Sequence, residues 1–283
     1  MPVNSRLSQL LLPLAIVILF DARSAFAGDP LAVARFASTH QCMQCDLRYE
    51  NFPGQDLANS QLTAAYLFGA GFSGSSLLGA QLESAIMIHC NLKQADLSHA
   101  NLAKANLEGA DLFGATLRGA DMTFAKLDGA NLEAAEITEA NLVTASLARA
   151  NLTDAFASDA HMRNASLAGA NLKRIDLTGA DLEGADLTGA NLTDANLRHA
   201  NMPRVRLRGA NLTGAQIAYT SLRGADLSGA NLKNAQIEGA NLKQVNFTGA
   251  DLSGATMSSV SIEEAIFCDA TMPDGKKFEC PPK

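Results

Sequence analysis

The apolar residues of this chain recur at every fifth position, and the polar residues between them keep the same period. In the stretch GADLEGADLTGANLTDANL, residues 179–197, an alanine is followed two positions later by a leucine in four successive units. The leucine column continues from Leu57 to Met272 without an insertion, through 44 pentapeptides. Ala157 is the one member of this column that is not Leu, Ile, Met or Phe.

A period of five fits neither an α-helix nor a simple β-strand, whose side chains repeat every 3.6 and every 2 residues. On an α-helix, residues five apart would be rotated by about 140°, so no single face could bury the leucine column. A short fixed period with one small and one large apolar residue is typical of a solenoid, in which stacked coils share a core. We therefore predict that leucine stacks on leucine about 4.8 Å apart, as in neighbouring strands of a sheet.

The unit ADLEG at residues 180–184 has the pattern A(D/N)LxG, and on this pattern the chain resembles the pentapeptide-repeat family over about three quarters of its length. The resemblance implies an all-β fold, a right-handed quadrilateral β-helix with four pentapeptides per coil and about 11 coils. It also implies that the leucine column and the alanine column point inward. Asn and Asp, which follow the alanine in most units, tolerate tight turns and hydrogen-bond nearby backbone, which suits the corners of a narrow coil.

The first 27 residues have the features of a secretory signal peptide. Arg6 supplies a positive charge, Leu10–Phe20 is an apolar run, and Ala25-Phe26-Ala27 forms a small-x-small cleavage pattern. The apolar run is too short for a permanent membrane span, so we expect cleavage after Ala27 and no transmembrane anchor afterwards. An uncleaved N-terminal anchor is the alternative. The expected location is the periplasm, with secretion as the second possibility.

The rest of the chain divides into a repeat region with two ends that need covering, because an open coil exposes its core and its hydrogen-bonding edge. Residues 28–41 are expected to form an N-terminal cap with a short helix, since Asp29-Pro30 is a typical helix start. Residues 42–272 form the predicted β-helix, and residues 273–283 form a loop cap. At Phe156-Ala157 we expect an outward ring with a thin core or a bulge, and hence a local distortion or bend of the coil.

The net charge of −7 disfavours general nucleic-acid binding, because that function needs clustered positive charge, and we expect no nucleic-acid partner. Between Asp194 and Asp226 there is nevertheless no acidic residue. The five arginines near this stretch form a predicted basic belt: Arg198, Arg204, Arg206, Arg208 and Arg223. The belt is either a solvated surface without a partner or a docking site for an acidic partner or polyanionic surface.

Four of the five cysteines are candidates for structural disulfides. Cys42 and Cys45 are followed by Asp46, which does not fit haem attachment, and a zinc site would need a second ligand pair. Both cysteines fall in the inward register, as packed thiols or as a local disulfide, and CMQCDL resembles the CxxCDL opening of some exported family members. Cys268 and Cys280 flank a turn and are expected to form a disulfide. Cys90, in the alanine column, is expected to be a buried free thiol.

No motif of the chain indicates catalysis, a cofactor or a metal, and we predict no catalytic, cofactor-binding or metal-binding residue. GxSxG, Walker and HExxH motifs are all missing from the sequence. His99 and His199 would lie five coils, or about 24 Å, apart, which is too far to share a metal ion.

The predicted function is therefore a non-enzymatic, exported interaction or structural scaffold that binds a protein. The alternative is a DNA-mimicking, topoisomerase-binding protein, similar to family members that protect DNA gyrase. The predicted signal peptide, the basic belt and the lack of a C-terminal dimerisation helix all disfavour this alternative.

Overall fold

Each repeat unit uses its backbone hydrogen-bonding groups in the same way. This computed structural model describes residues 28–280. We number the five positions of a unit so that the Asn/Asp column is position 1, the leucine column is position 2 and the alanine column is position 5. The N–H group at position 1 donates to the preceding coil, as Asn91 does to the carbonyl of Ala70 at 2.9 Å. The N–H groups at positions 2 and 4 donate to the following coil, as Leu92 does to Asp111 at 2.7 Å.

The other two N–H groups of the unit are used inside it. At position 5, the N–H group of Ala95 donates to the carbonyl of Leu92 at 3.1 Å and closes a β-turn. At position 3, the N–H group of Ser98 donates to Oδ1 of Asp96 at 2.9 Å, and many of the other units with Asn or Asp at position 1 repeat this bond, as Glu108 does with Asn106. Position 4 has a positive φ in every unit from Gln44 to Asp269, such as 63° at Gly109, which a type II turn requires.

Successive coils pair in parallel, and each position-1 residue pairs with the residue 20 positions later, so four pentapeptides complete one coil. The chain therefore forms a four-sided β-helix. We number its faces by the residue at which each ladder of pairs begins: face 1 at Gln41, face 2 at Asp46, face 3 at Asn51 and face 4 at Asp56.

The interior of the β-helix is built from the two apolar columns. From Leu57 to Leu252, no member of the leucine column is more than 2% exposed. Full burial of one such side chain stabilises a protein by roughly 1.5–3 kcal/mol, so a regular column makes the coils cohere along their whole length. The alanine column is equally buried and lets the four walls of a narrow coil approach one another.

The first coil is covered by helix α1, Pro30–Thr39. Asp29 is its N-cap, and the Asp29 side chain accepts a hydrogen bond from the N–H group of Leu31 at 3.0 Å. The fully buried ring of Phe36 meets the ring of Phe52 edge-on at a centroid distance of 5.0 Å. The helix thus places an apolar side chain over the end of the core, where no preceding coil exists.

Two short strands lie on face 4 near the C-terminal end, β1 Gln236–Glu238 and β2 Thr256–Ser258. They pair in parallel, with Gln236 opposite Thr256. In these two units the chain remains extended where most other units have the hydrogen-bonded turn. The sequence pattern does not predict this change, because the inward columns keep their spacing through it.

The chain after the last coil folds back along it. Thr271 and Lys277 form an antiparallel pair, and the turn between them contains Gly275 with a φ of 83°. The N–H group of Phe278 donates to the carbonyl of Ala270 at 2.8 Å. This segment therefore supplies hydrogen bonds to part of the edge that the last coil leaves open.

The expected distortion at Phe156-Ala157 is wrong. Phe156 pairs with Glu136 before it and Asp176 after it, and Ala157 keeps its bond to the next coil at 2.7 Å. The Phe156 ring points outward and is 56% exposed, while Ala157 is fully buried. Swinging the ring inward would break ladder hydrogen bonds on both sides, so the backbone keeps its register and the core accepts the smaller side chain.

The predicted signal peptide, residues 1–27, and the last three residues, 281–283, lie outside the described residues. Export and cleavage therefore stay predictions. Within residues 28–280, the helices include none with the length and apolarity that a bilayer crossing requires.

Four side chains with a hydroxyl or thiol interrupt the buried alanine column, and three of them follow one rule. Each donates to the carbonyl 23 residues earlier, on the preceding coil: Ser75 to Phe52, Cys90 to Leu67 and Thr220 to Leu197. For Ser60, the residue 23 positions earlier is residue 37, which lies in helix α1 and not in a preceding coil. Among the described residues, the buried Ser60 hydroxyl consequently has no hydrogen-bond partner.

We predict that Ser60→Ala raises the free energy of unfolding by about 1 kcal/mol, because it removes a buried hydroxyl that makes no hydrogen bond. Ser75→Ala is the matched control. It should lower the free energy of unfolding by a similar amount, since the carbonyl of Phe52 loses its donor. Urea unfolding followed by circular dichroism measures both changes. Shifts of the same sign in the two variants would contradict the hydrogen-bond assignment.

Candidate interaction surfaces

The arginines of the basic belt lie on three neighbouring faces of the β-helix. Arg198 is on face 4, Arg204 and Arg223 are on face 1, and Arg206 and Arg208 are on face 2. Faces 1 and 2 share an edge, so four of the five side chains lie on the two sides of one edge. The predicted belt is therefore concentrated along a corner of the solenoid, with Arg198 set apart.

Two of these arginines are already paired with carboxylates of the preceding coil. Arg204 forms an ion pair with Glu183, and Arg206 forms one with Asp186 at 3.1 Å. Arg198, Arg208 and Arg223 have no ion pair within 4.0 Å among the residues that the structure describes. The positive charge available to a partner is consequently largest at these three side chains.

Arg223 also separates two grooves on face 1. A groove of about 490 Å³ lies on its C-terminal side, with Lys243 and Glu263 in its wall. A smaller groove of about 240 Å³ lies on its N-terminal side, between Arg204 and Gln244. The small groove exists because Gly224 has no side chain between the longer side chains of the neighbouring coils. A carboxylate entering either groove would meet the guanidinium of Arg223.

A second surface lies on face 2 near the N-terminal end, and no sequence prediction included it. Its side chains, which we call the aromatic patch, are Tyr49, Tyr66, Phe68, Ile86 and Ile88. Tyr49 and Tyr66 are 45% and 48% exposed. The rings of Tyr49 and Phe68 meet edge-on at 5.4 Å, and Tyr49, Tyr66, Phe68 and Ile86 border a groove of about 420 Å³.

The position of the Tyr49 ring depends on a glycine of the next coil. A Cβ atom at Gly69 would lie 2.8 Å from Cδ1 of Tyr49, which is too close for any side chain. One edge of the ring therefore lies over the bare backbone of Gly69, and the ring reaches Phe68. A sequence signal for the patch exists: Tyr66 and Ile86 occupy position 1, where most units carry Asn or Asp. The leucine and alanine columns do not predict the patch, because its side chains lie at outward positions.

The four cysteines predicted as structural form two disulfides. Cys42 is joined to Cys45 with a Cα–Cα distance of 5.4 Å, and Cys268 is joined to Cys280 at 4.6 Å. Of the two alternatives for Cys42 and Cys45, the structure has the local disulfide. It lies under helix α1 at the start of face 1, while the second disulfide ties the returning tail to the last coil.

Cys90 is a buried free thiol whose Sγ donates to the carbonyl of Leu67 at 2.8 Å. Burial raises the pKa of this thiol to about 12, because a thiolate would lose its hydration. The thiol therefore stays protonated at neutral pH and is not a candidate nucleophile.

The described residues bring one group of potential metal ligands together, Cys268, Asp269 and Cys280. Both sulfur atoms of this group are used in a disulfide. A disulfide sulfur lacks the thiolate charge that metal binding requires, so this group offers a single carboxylate.

Comparison with known proteins gives one family and several solved structures. The family model described as Pentapeptide repeats matches overlapping segments that together span residues 65–229 and 230–269. Among proteins with curated descriptions, none matches the chain.

The solved structures that match include HetL, a pentapeptide repeat protein involved in heterocyst differentiation regulation from the cyanobacterium Nostoc sp. strain PCC 7120. It is 30% identical, and the match covers 87% of this chain and 97% of HetL with a TM-score of 0.49. A thylakoid-lumen pentapeptide repeat protein of Arabidopsis thaliana is 36% identical over 32% of this chain and 64% of its own, with a TM-score of 0.32. QnrB1, a plasmid-mediated fluoroquinolone resistance protein, is 14% identical. The match covers 77% of this chain and 89% of QnrB1, with a TM-score of 0.37.

We predict that iodoacetamide at pH 9 leaves all five cysteines of the folded, unreduced protein unmodified. Four cysteines are held in disulfides, and the raised pKa keeps Cys90 in its unreactive thiol form. Unfolding in guanidinium without a reductant should then give one modified site per chain, at Cys90. Peptide mass mapping measures both states. Modification of Cys268 or Cys280 before reduction would contradict the disulfide assignment.

Proposed function

The chain belongs to the pentapeptide-repeat family, and from that premise we propose that it is a non-enzymatic, exported scaffold that binds an acidic protein segment through its basic belt. A solenoid holds its outward side chains at fixed places on long faces, and such faces bind partners by shape and charge. Export rests on the predicted signal peptide. Two disulfides suit an oxidising compartment, and the periplasm is the location we propose.

One observation carries the proposal: positive charge accumulates along one edge of a chain whose net charge is −7. Arg208 and Arg223 lie on either side of this edge, and neither is paired with a carboxylate of the described residues. The 31 residues between Asp194 and Asp226 include no carboxylate side chain, and Glu263 and Glu264, which line the larger groove beside Arg223, form no ion pair with it. An incoming acidic segment would therefore find guanidinium groups whose charge is not already neutralised.

The geometry of the belt favours carboxylates as the recognised groups. A guanidinium presents a rigid fork of donors that matches a carboxylate, and such pairs are stronger than neutral hydrogen bonds. Arg204 and Arg206 already pair with carboxylates of this chain, each through its Nη2 atom. The grooves beside Arg223 provide space for a partner's Asp or Glu side chain, so we assign the belt to a protein rather than to a lipid surface.

The charged groups of the described surface support a role without catalysis. Most carboxyls with a displaced pKa are paired with neighbouring bases; for example, the Arg174 guanidinium lowers the pKa of Asp154 by a side-chain hydrogen bond. Such pairs keep the carboxyl ionised at neutral pH, as an exposed structural ion pair does. A general acid or base instead needs a pKa near the working pH, which usually requires burial in a cleft.

We predict that the double variant Arg208→Glu, Arg223→Glu binds a fluorescein-labelled ten-residue glutamate peptide at least tenfold more weakly than the parent chain. Two attractive contacts become repulsive in this variant, and tenfold corresponds to about 1.4 kcal/mol. Fluorescence anisotropy at 50 mM salt measures the affinity, and 300 mM salt should weaken parent binding because exposed charges are screened.

Arg149→Glu is the matched control, because Arg149 is also an exposed arginine of face 2 and lies outside the belt. This control should bind the peptide like the parent chain, apart from the small effect of its net charge. Equal weakening in the control and the double variant would show that only net charge matters and would overturn the belt as a site. A pull-down from the exported fraction, with the parent and the double variant as baits, then identifies the physiological partner.

The second candidate function is a DNA-mimicking protein that binds a topoisomerase. The acidic net charge favours it, since residues 28–150 carry 13 acidic and 7 basic side chains. The belt opposes it, because a DNA mimic presents continuous negative charge. A DNA gyrase supercoiling assay with a fluoroquinolone separates the two: protection by micromolar protein would favour the mimic, and no protection would exclude it.

A further inference from the structure

The two ends of the β-helix are covered to different extents. Helix α1 lies over the first coil, with the ring of Phe36 fully buried. At the other end, the returning tail bonds only to the last units of faces 2 and 3. The last units of faces 4 and 1, residues 256–260 and 261–265, have no pairing partner on their C-terminal side among the described residues. An open sheet edge of this kind is a template for pairing with another chain.

The uncovered part of the end also exposes side chains of the core. Ile262 belongs to the inward leucine column, yet 47% of its surface is exposed, whereas no column member from Leu57 to Leu252 exceeds 2%. Met257 and Val260 are half-buried at the same end. Water therefore contacts apolar side chains that a further strand on the last coil would bury.

Strand β2, on face 4, directs a complete set of backbone groups to this open end. The N–H group of Thr256 donates to Ala235, and the carbonyl of Ser258 accepts from Gly239, both at 2.9 Å. Thr256 and Ser258 therefore face β1. Successive residues of a strand direct their backbone groups to opposite sides, so the N–H group and the carbonyl of Met257 both face the open end.

The extended conformation of β2 leaves one more acceptor free than face 1 does. In most units the carbonyl at position 2 is used by the turn, as that of Ile262 is by the N–H group of Ala265 at 3.0 Å. The carbonyl of Met257 has no such donor. The open edge thus consists of the carbonyl of Ala255, both groups of Met257 and the N–H group of Ser259, none of them bonded among the described residues. A further β-strand needs donors and acceptors in this alternating order.

The length of this edge limits what can occupy it. Residues 255–259 span about 17 Å when extended. Interfaces between folded proteins use about 20–30 residues on each side, so a second copy that met this edge alone would gain too little contact. A single extended segment of about five to seven residues matches the edge, because such segments bind through main-chain hydrogen bonds while alternate side chains give specificity.

The charge beside the edge favours a basic segment. Glu238 is the one charged residue in the last two units of face 4, and it has no ion pair within 4.0 Å among the described residues. Glu238 pairs with Ser258 in the sheet, at an outward position. A residue of an added strand over Ser258 would lie two strand spacings, about 10 Å, from Glu238, which a lysine or arginine side chain can approach.

We propose that the open edge of β2 is a docking site for an extended segment of a partner protein in which apolar and basic residues alternate. The segment adds a strand to face 4 and bonds to the backbone of Met257. Its apolar side chains cover Met257 and Val260, and its basic side chains point outward toward Glu238. The site is separate from the basic belt, whose unpaired arginines lie on earlier coils and suit a partner of opposite charge.

Amide exchange tests the site directly, with a capped seven-residue peptide of alternating lysine and valine as the probe. Saturating peptide should slow the exchange of the N–H groups of Met257 and Ser259 at least tenfold, measured by residue with NMR, because both become strand donors. Phe267 is the internal control, since it also lies at position 2 of the last coil but on face 2. Unchanged exchange at Met257 and Ser259, or equal slowing at Phe267, would overturn the proposal.

Two altered peptides separate strand pairing from simple charge attraction. Methylation of the three inner backbone nitrogens keeps every side chain and charge but removes the donors that an added strand needs. This peptide should bind at least tenfold more weakly by fluorescence anisotropy, and an unchanged affinity would contradict strand addition. A peptide with glutamate in place of lysine should leave the exchange at Met257 unchanged at the same concentration; equal slowing would contradict the preference for a basic segment.

A pair of protein variants tests the role of Glu238. Glu238→Gln should weaken binding of the lysine peptide at least threefold at 50 mM salt, because the outward charge beside the edge is lost. Glu136→Gln is the matched control, since Glu136 also lies on face 4, five coils earlier, and has no ion pair among the described residues. The control should bind like the parent chain. Equal weakening in both variants would show that only net charge matters and would refute the assigned site.

Exchange in the free protein identifies other occupants of the edge. Before peptide is added, the N–H groups of Met257 and Ser259 should exchange fast at every protein concentration. Slow exchange that becomes faster on tenfold dilution would assign the edge to a second copy. Slow exchange that dilution does not change would show that the chain covers its own edge. Either result would overturn the proposal.

Discussion

The structure depends on one constraint: a unit of five residues must satisfy the backbone N–H groups at positions 1, 2, 4 and 5. Three of these groups donate to the coils on either side and one closes the turn, while the N–H group at position 3 donates to an Asn or Asp side chain at position 1 where the unit has one. Buried backbone donors without partners are costly, so the unit cannot change its length or its turn without breaking bonds on two coils. The apolar columns follow from this geometry, because it sends positions 2 and 5 inward in every unit.

On face 3, the side chains at position 1 also form hydrogen bonds from coil to coil. The carboxamide of Asn151 donates to Asn131 at 3.1 Å, and that of Asn191 donates to Asn171 at 3.0 Å. Asn131, Asn151 and Asn191 also accept from the N–H group two residues later in their own turn, which explains why Asn and Asp are frequent in the column. The two candidate surfaces are departures from this order. Three of the five belt arginines have no carboxylate partner among the described residues, and Tyr66 and Ile86 of the aromatic patch stand where most units carry Asn or Asp.

The sequence predicts the inside of this protein better than its outside. Leu182 and Ala180 are predictable because the requirement for burial repeats at a fixed period. The ion pair between Arg206 and Asp186 also follows from the 20-residue coil, because residues 20 apart lie side by side on neighbouring coils. It becomes visible in the sequence only when the coils are aligned. Tyr66 and Phe68 were missed because solvent tolerates many residues, so outward positions carry no strong pattern. The distortion expected at Phe156 was wrong because backbone bonds outweigh the preference of one ring for the core.

Amide hydrogen exchange, resolved by residue with NMR, tests the account most directly. The hydrogen-bonding scheme predicts a five-residue pattern across the interior coils: slow exchange at positions 1, 2, 4 and 5, and fast exchange at position 3. At that position a half-buried side-chain oxygen at the surface of the coil is the acceptor, so Ser98 and Glu108 should exchange much faster than Leu97 and Leu107. Protection with a period of two or 3.6 residues, or uniform protection across the unit, would contradict the account.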